Sequence, residues 1–232
     1  MNLFLIFFVL VVLSITVFYV YTEIQDQKLL KTVTNANRGT KSERKMVLRL
    51  LKSGIKSTAI FHDLYLHIGN GKYCQIDLVV ATKVGIVVFE IKEYSGWIFG
   101  TENQRKWTQV LAYGKQKYNF YNPILQNKKH VEDLKEFYHF DGIPFYSMIV
   151  FFGNCEFKNF ISLPRRTFLI KSSKVMNRFN EIIQNNQLAN YGDKWEIVNL
   201  LKQAVKNGEN SIISKKHIEN IEKLKNRYRF FN

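Results

Sequence analysis

Cysteine, proline and glycine are scarce in this 232-residue chain, which holds 2 Cys, 3 Pro and 12 Gly. Cys74 and Cys155 are too few for a disulfide framework and supply no paired Cys motif for structural zinc. So little Pro and Gly excludes collagen-like or low-complexity disorder. Acidic residues are also short, 19 Asp+Glu against 34 Lys+Arg, for a formal net charge of +15. That balance favours polyanionic partners, either nucleic acid or the anionic face of a membrane. There is no Gly-x-Ser-x-Gly, so a serine-type hydrolase has no support. Gly69-Asn70-Gly71-Lys72 lacks the full phosphate-loop pattern and reads as a turn. His62, His67 and Cys74 match no zinc spacing. What is abundant is apolar: 46% of the chain is hydrophobic and 15% aromatic, enough for one cored domain with an appendage.

The appendage comes first. Leu3 to Tyr21 runs without a charge. As a helix it is about 28 Å long, close to the hydrocarbon thickness of a bilayer. A cleaved leader wants a basic start and a small-x-small site. Here Asn2 precedes the run and Tyr21-Thr22-Glu23 follows it, which favours an uncleaved anchor over residues 1–22. Nothing basic precedes the span, whereas Lys28, Lys31, Arg38 and Lys41 follow it. The positive-inside rule then predicts a single-pass protein of the cell membrane, N-terminus outside and soluble domain in the cytoplasm. Two free cysteines agree with that compartment.

The rest reads as an α+β domain with a central mixed sheet flanked by helices. Residues 23–38 are polar and suggest a linker or the helix's exit. Thr40-x-x-Glu43 is a capping-box pattern ahead of an apolar stripe at Met46, Val47, Leu50 and Leu51. Strands are predicted over 61–68, 73–81, 86–92, 144–152 and 167–170. A loop is expected after the third strand, and Asn122-Pro123 then opens a helix. Further helices are predicted near 174–186, 194–206 and 214–228, the last with Ser214 as N-cap. This divides the chain into a domain over 39–172 and a basic helical C-terminal region over 173–232.

Three charges interrupt apolar strands: Asp77 in QIDLVV, and Glu90 and Lys92 in VVFEIK. Burying a lone carboxylate costs several kcal/mol unless it is paired or metal-bound. Residues i and i+2 of a strand share a face, so Glu90 and Lys92 point the same way. If Thr82–Gly85 is the turn and Ala81 faces Ile86, Asp77 falls opposite Glu90, with Cβ atoms about 5 Å apart. Two carboxylates that close repel unless a proton or cation lies between them. Hard oxygen ligands favour Mg²⁺ or Mn²⁺, and Lys92 beside the ion can orient a water or stabilise an oxyanion. The plainer alternative is a Glu–Lys pair on a solvated strand face, with Asp77 ending a strand.

These residues resemble a known family. Glu43, Gln75-Ile76-Asp77, Gly85-Ile86-Val87-Val88, Glu90-Ile91-Lys92-Glu93-Tyr94-Ser95-Gly96, Trp107 and Asn122-Pro123-x-x-Gln126 stand in the order and spacing of the NERD (nuclease-related) domain. That domain belongs to the PD-(D/E)xK restriction-endonuclease-like superfamily. The resemblance covers roughly residues 39–134, and many family members also carry an N-terminal membrane helix. It implies a restriction-endonuclease-like fold and metal-dependent phosphodiester hydrolysis. Asp77, Glu90 and the backbone carbonyl of Ile91 would hold Mg²⁺ (or Mn²⁺). Lys92 would position the attacking water, Glu43 would lie near the metal, and Gln126 would approach from its helix. Glu43 also has the local role of closing the capping box, and Trp107 reads as core rather than as a base-stacking residue.

Basic residues cluster twice. Arg105, Lys106, Lys115, Lys117, Lys128 and Lys129 interleave with Trp107, Tyr113, Tyr118, Phe120 and Tyr121, a mixture suited to phosphate contact and base stacking. Lys202 to Arg229 holds eight Lys/Arg against three Glu, which suits a solvated face or contact with anionic lipid. The expected partners are nucleic acid, DNA before RNA, and the membrane through the N-terminal helix. Two other functions share these features: a nucleic-acid-binding module without catalysis, and a membrane-surface interaction protein.

Overall fold

The computed structural model describes residues 3–140, 142–158 and 162–229. In chain order the elements are α1 (Leu3–Leu30), α2 (Lys41–Lys52), β1 (Ile60–His67), β2 (Tyr73–Thr82), β3 (Gly85–Glu93), β4 (Gly96–Phe99), β5 (Lys106–Leu111) and β6 (Gln116–Tyr121). There follow α3 (Pro123–Tyr138), β7 (Phe145–Phe152), β8 (Cys155–Lys158), β9 (Thr167–Lys171), α4 (Val175–Asn185), α5 (Lys194–Glu209) and α6 (Ser211–Arg229). The main sheet has the order β1-β2-β3-β7-β9, antiparallel over its first three strands and parallel over the rest. A second mixed sheet has the order β6-β5-β4-β8. The fold is α+β, as the sequence suggests.

Alternation along the central strands sends side chains to two apolar layers. Leu78, Val80, Val87 and Phe89 pack with α2 and with Val175, Phe179 and Ile182 of α4. Val79, Ile86 and Val88 pack with Leu134 of α3 and with Ile197, Leu201 and Ala204 of α5. Both layers therefore depend on helices after residue 172. The division placed there by charge and pattern is not a packing boundary, because α4 and α5 each turn an apolar stripe inward and their basic side chains outward.

Three further differences have local causes. The predicted loop after β3 is largely the second sheet. Its strands are only four to six residues long, too short to establish a period. α1 does not stop at residue 22. It continues to Leu30, which is buried with Leu29 and Val33 against the first core layer, and Lys52 Nζ lies 2.6 Å from Asp26 Oδ2. The segment expected as a linker is therefore partly helix and docks on α2. The last helix starts at Ser211, where Asn210 Oδ1 accepts the Ile212 N–H, while Ser214 sits inside the first turn. α1 itself is long and apolar enough to cross a membrane, with mean hydropathy 3.0 over its most apolar stretch, and equally suits a signal sequence by length and composition.

The hairpin between β2 and β3 has the predicted register: Ala81 faces Ile86 and Leu78 faces Phe89. Its turn closes on Gly85 at φ 138°, where a Cβ would come within 2.2 Å of the Pro144 carbonyl oxygen. The neighbouring strand is less regular. Asp63 in β1 has φ 54°, a left-handed conformation that Asp tolerates better than most residues. Ile60 and His62 before it face α2, whereas Leu64 and Leu66 after it face the α5 layer. The pleat is thus reset beside Asp77. Arg38 holds Asp63 in place through its carboxylate (3.2 Å) and carbonyl (2.6 Å), and also reaches Val205 O at 3.1 Å.

If α4 and α5 are core, Phe179→Ala and Leu201→Ala each lower unfolding free energy by about 2–5 kcal/mol. Leu188→Ala, at a position 76% exposed, changes it by less than about 0.5 kcal/mol. Urea unfolding monitored by circular dichroism measures all three.

Candidate active site

Glu90 lies in the middle of the sheet with no solvent exposure, on the face covered by α3. Strand and helix run past each other with matched steps. Lys92 and Glu90 are two residues apart on β3, about 6.6 Å. Gln126 and His130 are one turn apart on α3, about 6 Å. Two rungs result: Lys92 Nζ donates to Gln126 Oε1 at 3.2 Å, and His130 Nε2 stands 3.3 Å from Glu90 Oε2. Lys92 Nζ also lies 2.5 Å from Glu90 Oε1. Neither oxygen of Glu90 has an aligned hydrogen-bond donor among the described residues. The contact with Lys92 is a close ion pair.

Asp77 joins from β2. Its Oδ2 accepts the Ile91 N–H at 2.8 Å, so the carboxylate is clamped to the backbone between Glu90 and Lys92. Burial pushes the Asp77 carboxyl well above the usual range, and the nearby charges of Glu90 and Glu43 push it further; Lys92 and the Ile91 N–H oppose them. Burial works against the Lys92 ammonium, but Glu90 and Asp77 outweigh it and raise its pKa. Four side chains named from the sequence, Asp77, Glu90, Lys92 and Gln126, are thus brought into one neighbourhood. Ile91, read as a carbonyl ligand, meets Asp77 through its N–H.

Glu43 approaches from α2. Thr40 Oγ1 accepts the Glu43 N–H at 3.3 Å and donates to Glu43 Oε1 at 2.8 Å, so the local cap is real. Glu43 Oε2 lies 3.3 Å from His62 Nε2, and His62 Nδ1 meets Thr34 Oγ1 at 2.8 Å. Burial tends to raise the Glu43 pKa, but its contacts with His62 and Thr40 bring it below the usual value. Glu43 and Asp77 are close enough to repel, yet the direct contacts of Glu43 are with Thr40 and His62.

His62, His67 and Cys74 do not meet. His62 is buried against Glu43, His67 packs edge-on against Tyr73 at the far end of β1, and Cys74 Sγ lies 3.1 Å from His130 Nδ1. Burial raises the Cys74 thiol pKa, reinforced by Asp133. Trp107 is fully buried and donates to Thr101 O at 2.9 Å, so it is core. His130 is absent from the motif reading. Its signal was the i, i+4 spacing from Gln126, which places both on one helix face.

Among the described residues no three His, Cys, Asp or Glu side chains form a metal-ligating cluster. The donors present are two buried carboxylates on neighbouring strands, and the Glu90 oxygens have ion-pair contacts but no aligned hydrogen-bond donor among the described residues. Such oxygens suit a hard, oxygen-preferring cation that keeps open positions for solvent. A cleft of about 530 Å³ lies elsewhere, on the second sheet, lined by Trp97, Tyr113, Cys155 and Lys171 among others.

The raised Asp77 pKa sets a pH dependence. A carboxyl with a raised folded value binds its proton more tightly when folded, so ionising it opposes folding. In metal-free protein its contribution is most favourable in acid and is lost as pH climbs from about 3.8 towards the raised value. Asp77→Asn keeps an acceptor for the Ile91 N–H and removes the repulsion. It is expected to raise the metal-free thermal midpoint at neutral pH by about 2–4 °C per kcal/mol relieved, with the gain shrinking in acid. Calorimetry across pH in the presence of a chelator tests this.

Comparison with known proteins agrees with the motif order. The nuclease-related domain model matches residues 38–152. An uncharacterized protein of Bacillus anthracis is 35% identical over 119 residues, 51% of this chain and 55% of that protein. The chain thus spans about half the length of this relative. No solved structure matches. The matched segment contains Glu43, Asp77, Glu90, Ile91, Lys92, Gln126 and His130, and by this match residues 38–152 are a NERD, or nuclease-related, domain.

Proposed function

We propose that this protein is a membrane-anchored, cytoplasm-facing, metal-dependent nuclease that hydrolyses phosphodiester bonds, with DNA its expected substrate. The observation that carries this reading is a fully buried Glu90 whose two oxygens lack aligned donors, beside a second buried carboxylate and an ammonium. Structural burial alone gives no reason to retain two carboxylates beside one ammonium, because a buried charge that is not fully compensated destabilises the fold.

Asp77 and Glu90, with the Ile91 backbone, would hold Mg²⁺ or Mn²⁺. The bound ion would supply Lewis-acid stabilisation of charge on the phosphate. The Lys92 ammonium, kept protonated by Glu90 and Asp77, orients a water or donates to a developing phosphorane oxygen. Gln126 fixes the direction of that ammonium at 3.2 Å. Glu43 adds negative potential near Asp77 while His62 and Thr40 hold its side chain.

Substrate contact falls to the exposed basic and aromatic residues. In β5 and β6, Lys106 pairs with Tyr121 and Val110 with Lys117, which puts Lys106, Lys117 and Tyr121 on one side of the second sheet. That side faces solvent at all three residues, and β6 leads directly to Asn122 and the helix bearing Gln126. This open surface also favours a second reading, a nucleic-acid-binding module without turnover. The anchor reading rests on α1, whose apolar part is exposed while its end packs on α2. The exposed Lys202, Lys206, Lys215 and Lys216 are then available to anionic lipid.

The purified full chain in detergent is expected to cleave DNA with Mg²⁺ or Mn²⁺ and to stop when a chelator is added. Lys92→Ala is expected to lower the rate by about 10²–10³-fold. Binding of DNA without cleavage by the wild type, across single- and double-stranded DNA and RNA, would select the second reading. For orientation, protease added to intact cells should leave the domain uncut and should digest it after lysis.

A further inference from the structure

Two buried polar atoms that lack an aligned hydrogen bond face each other, and the mechanism above uses only one of them. His130 Nε2 and Glu90 Oε2 are 3.3 Å apart, on side chains 8% and 0% exposed. Neither makes an aligned hydrogen bond among the described residues. The other imidazole nitrogen, Nδ1, is engaged by Cys74 Sγ at 3.1 Å, which fixes the ring and leaves Nε2 turned to the carboxylate. The roles of the two Glu90 oxygens are thereby divided: Oε1 faces Lys92 and Oε2 faces His130. Two ligand atoms each about 2.1 Å from a shared ion stand roughly 3.0–3.4 Å apart, between octahedral and tetrahedral angles. The observed separation falls in that interval.

We propose that His130 is a nitrogen ligand to the ion held by Glu90, and that it biases the site towards Mn²⁺ over Mg²⁺. This rests on the metal-dependent reading above and adds a residue and a selectivity to it. Imidazole suits first-row transition ions, whereas Mg²⁺ prefers an all-oxygen shell. Cys74 acts as the outer partner that orients the ligating ring, a role usually filled by a carboxylate or carbonyl. Solvent completes the coordination, which keeps open positions for substrate.

Mn²⁺ itself is the probe. The full chain in detergent is loaded with Mn²⁺, and pulsed electron paramagnetic resonance records nitrogen-14 modulation from a coordinated imidazole. Wild type is expected to show it and His130→Gln to lose it. The same variant should weaken Mn²⁺ binding by at least about 10-fold while changing Mg²⁺ binding by less than about twofold, both by titration calorimetry. Bound Mn²⁺ without nitrogen modulation, or His130→Gln binding Mn²⁺ as wild type does, overturns the assignment and leaves the carboxylate site standing. Wild type that binds no Mn²⁺ at millimolar concentration overturns both. Should His130→Gln fail to fold, nitrogen modulation retained in His62→Gln supports the assignment, and modulation lost there moves the ligand to His62.

Discussion

Glu90 and Asp77 bring two carboxylates into the interior of a sheet, where Lys92 is the ammonium that meets them, and much of the surrounding structure serves that arrangement. Two buried negative charges on adjacent strands cannot both be stable without compensation, and Lys92 meets only part of the need. The Ile91 N–H and the contacts from α3 supply the rest of the local support. Asp77 retains a raised pKa despite them, so the centre is electrostatically strained. Buried charges in such surroundings weaken the fold locally, and the rest of the domain must be stable enough to hold them.

That stability comes from layers on both faces of the main sheet. α2 and α4 close one face, while α3 and α5 close the other, so β2 and β3 are buried on both sides. Double burial removes water from around Glu90 and strengthens every interaction it makes. The reset of the pleat at Asp63 serves the same end. Because β1 changes face there, His62 reaches Glu43 on the α2 side while Leu64 and Leu66 fill the opposite layer. Asp77 lies beside the switch and feels Glu43 as well as Glu90. A regular strand would place His62 and Leu64 on one face and forfeit either the Glu43 contact or part of the core.

The hairpin and its charges were legible from residue order. The turn at Thr82–Gly85 set the register, whose ladder ends at Leu78 facing Phe89 with Asp77 and Glu90 next along the two strands, and strand alternation put Glu90 and Lys92 on one face. Asn122-Pro123 announced α3, and Thr40-x-x-Glu43 the start of α2. The second sheet was not legible, because β4, β5, β6 and β8 bury their apolar residues against one another and against scattered residues of β7, β9 and α3. Short strands of that kind carry no period until their partners are known. The extension of α1 to Leu30 was hidden for a related reason: its polar stretch reads as an exit until docking on α2 buries one side of it.

Chemistry-bearing residue types, their spacing along two strands and the turn between them are properties of the chain, since they follow from backbone periods of two and 3.6 residues and from turn chemistry. They determined the α+β class, the apolar first helix and the Asp77, Glu90 and Lys92 set. The convergence of α3 on that set was decided only by tertiary packing. His130 lies 38 residues beyond Lys92, and no local rule links them. They meet because the apolar side of α3 must cover β3 and β7, and that docking slides Gln126 and His130 along the same row as Lys92 and Glu90.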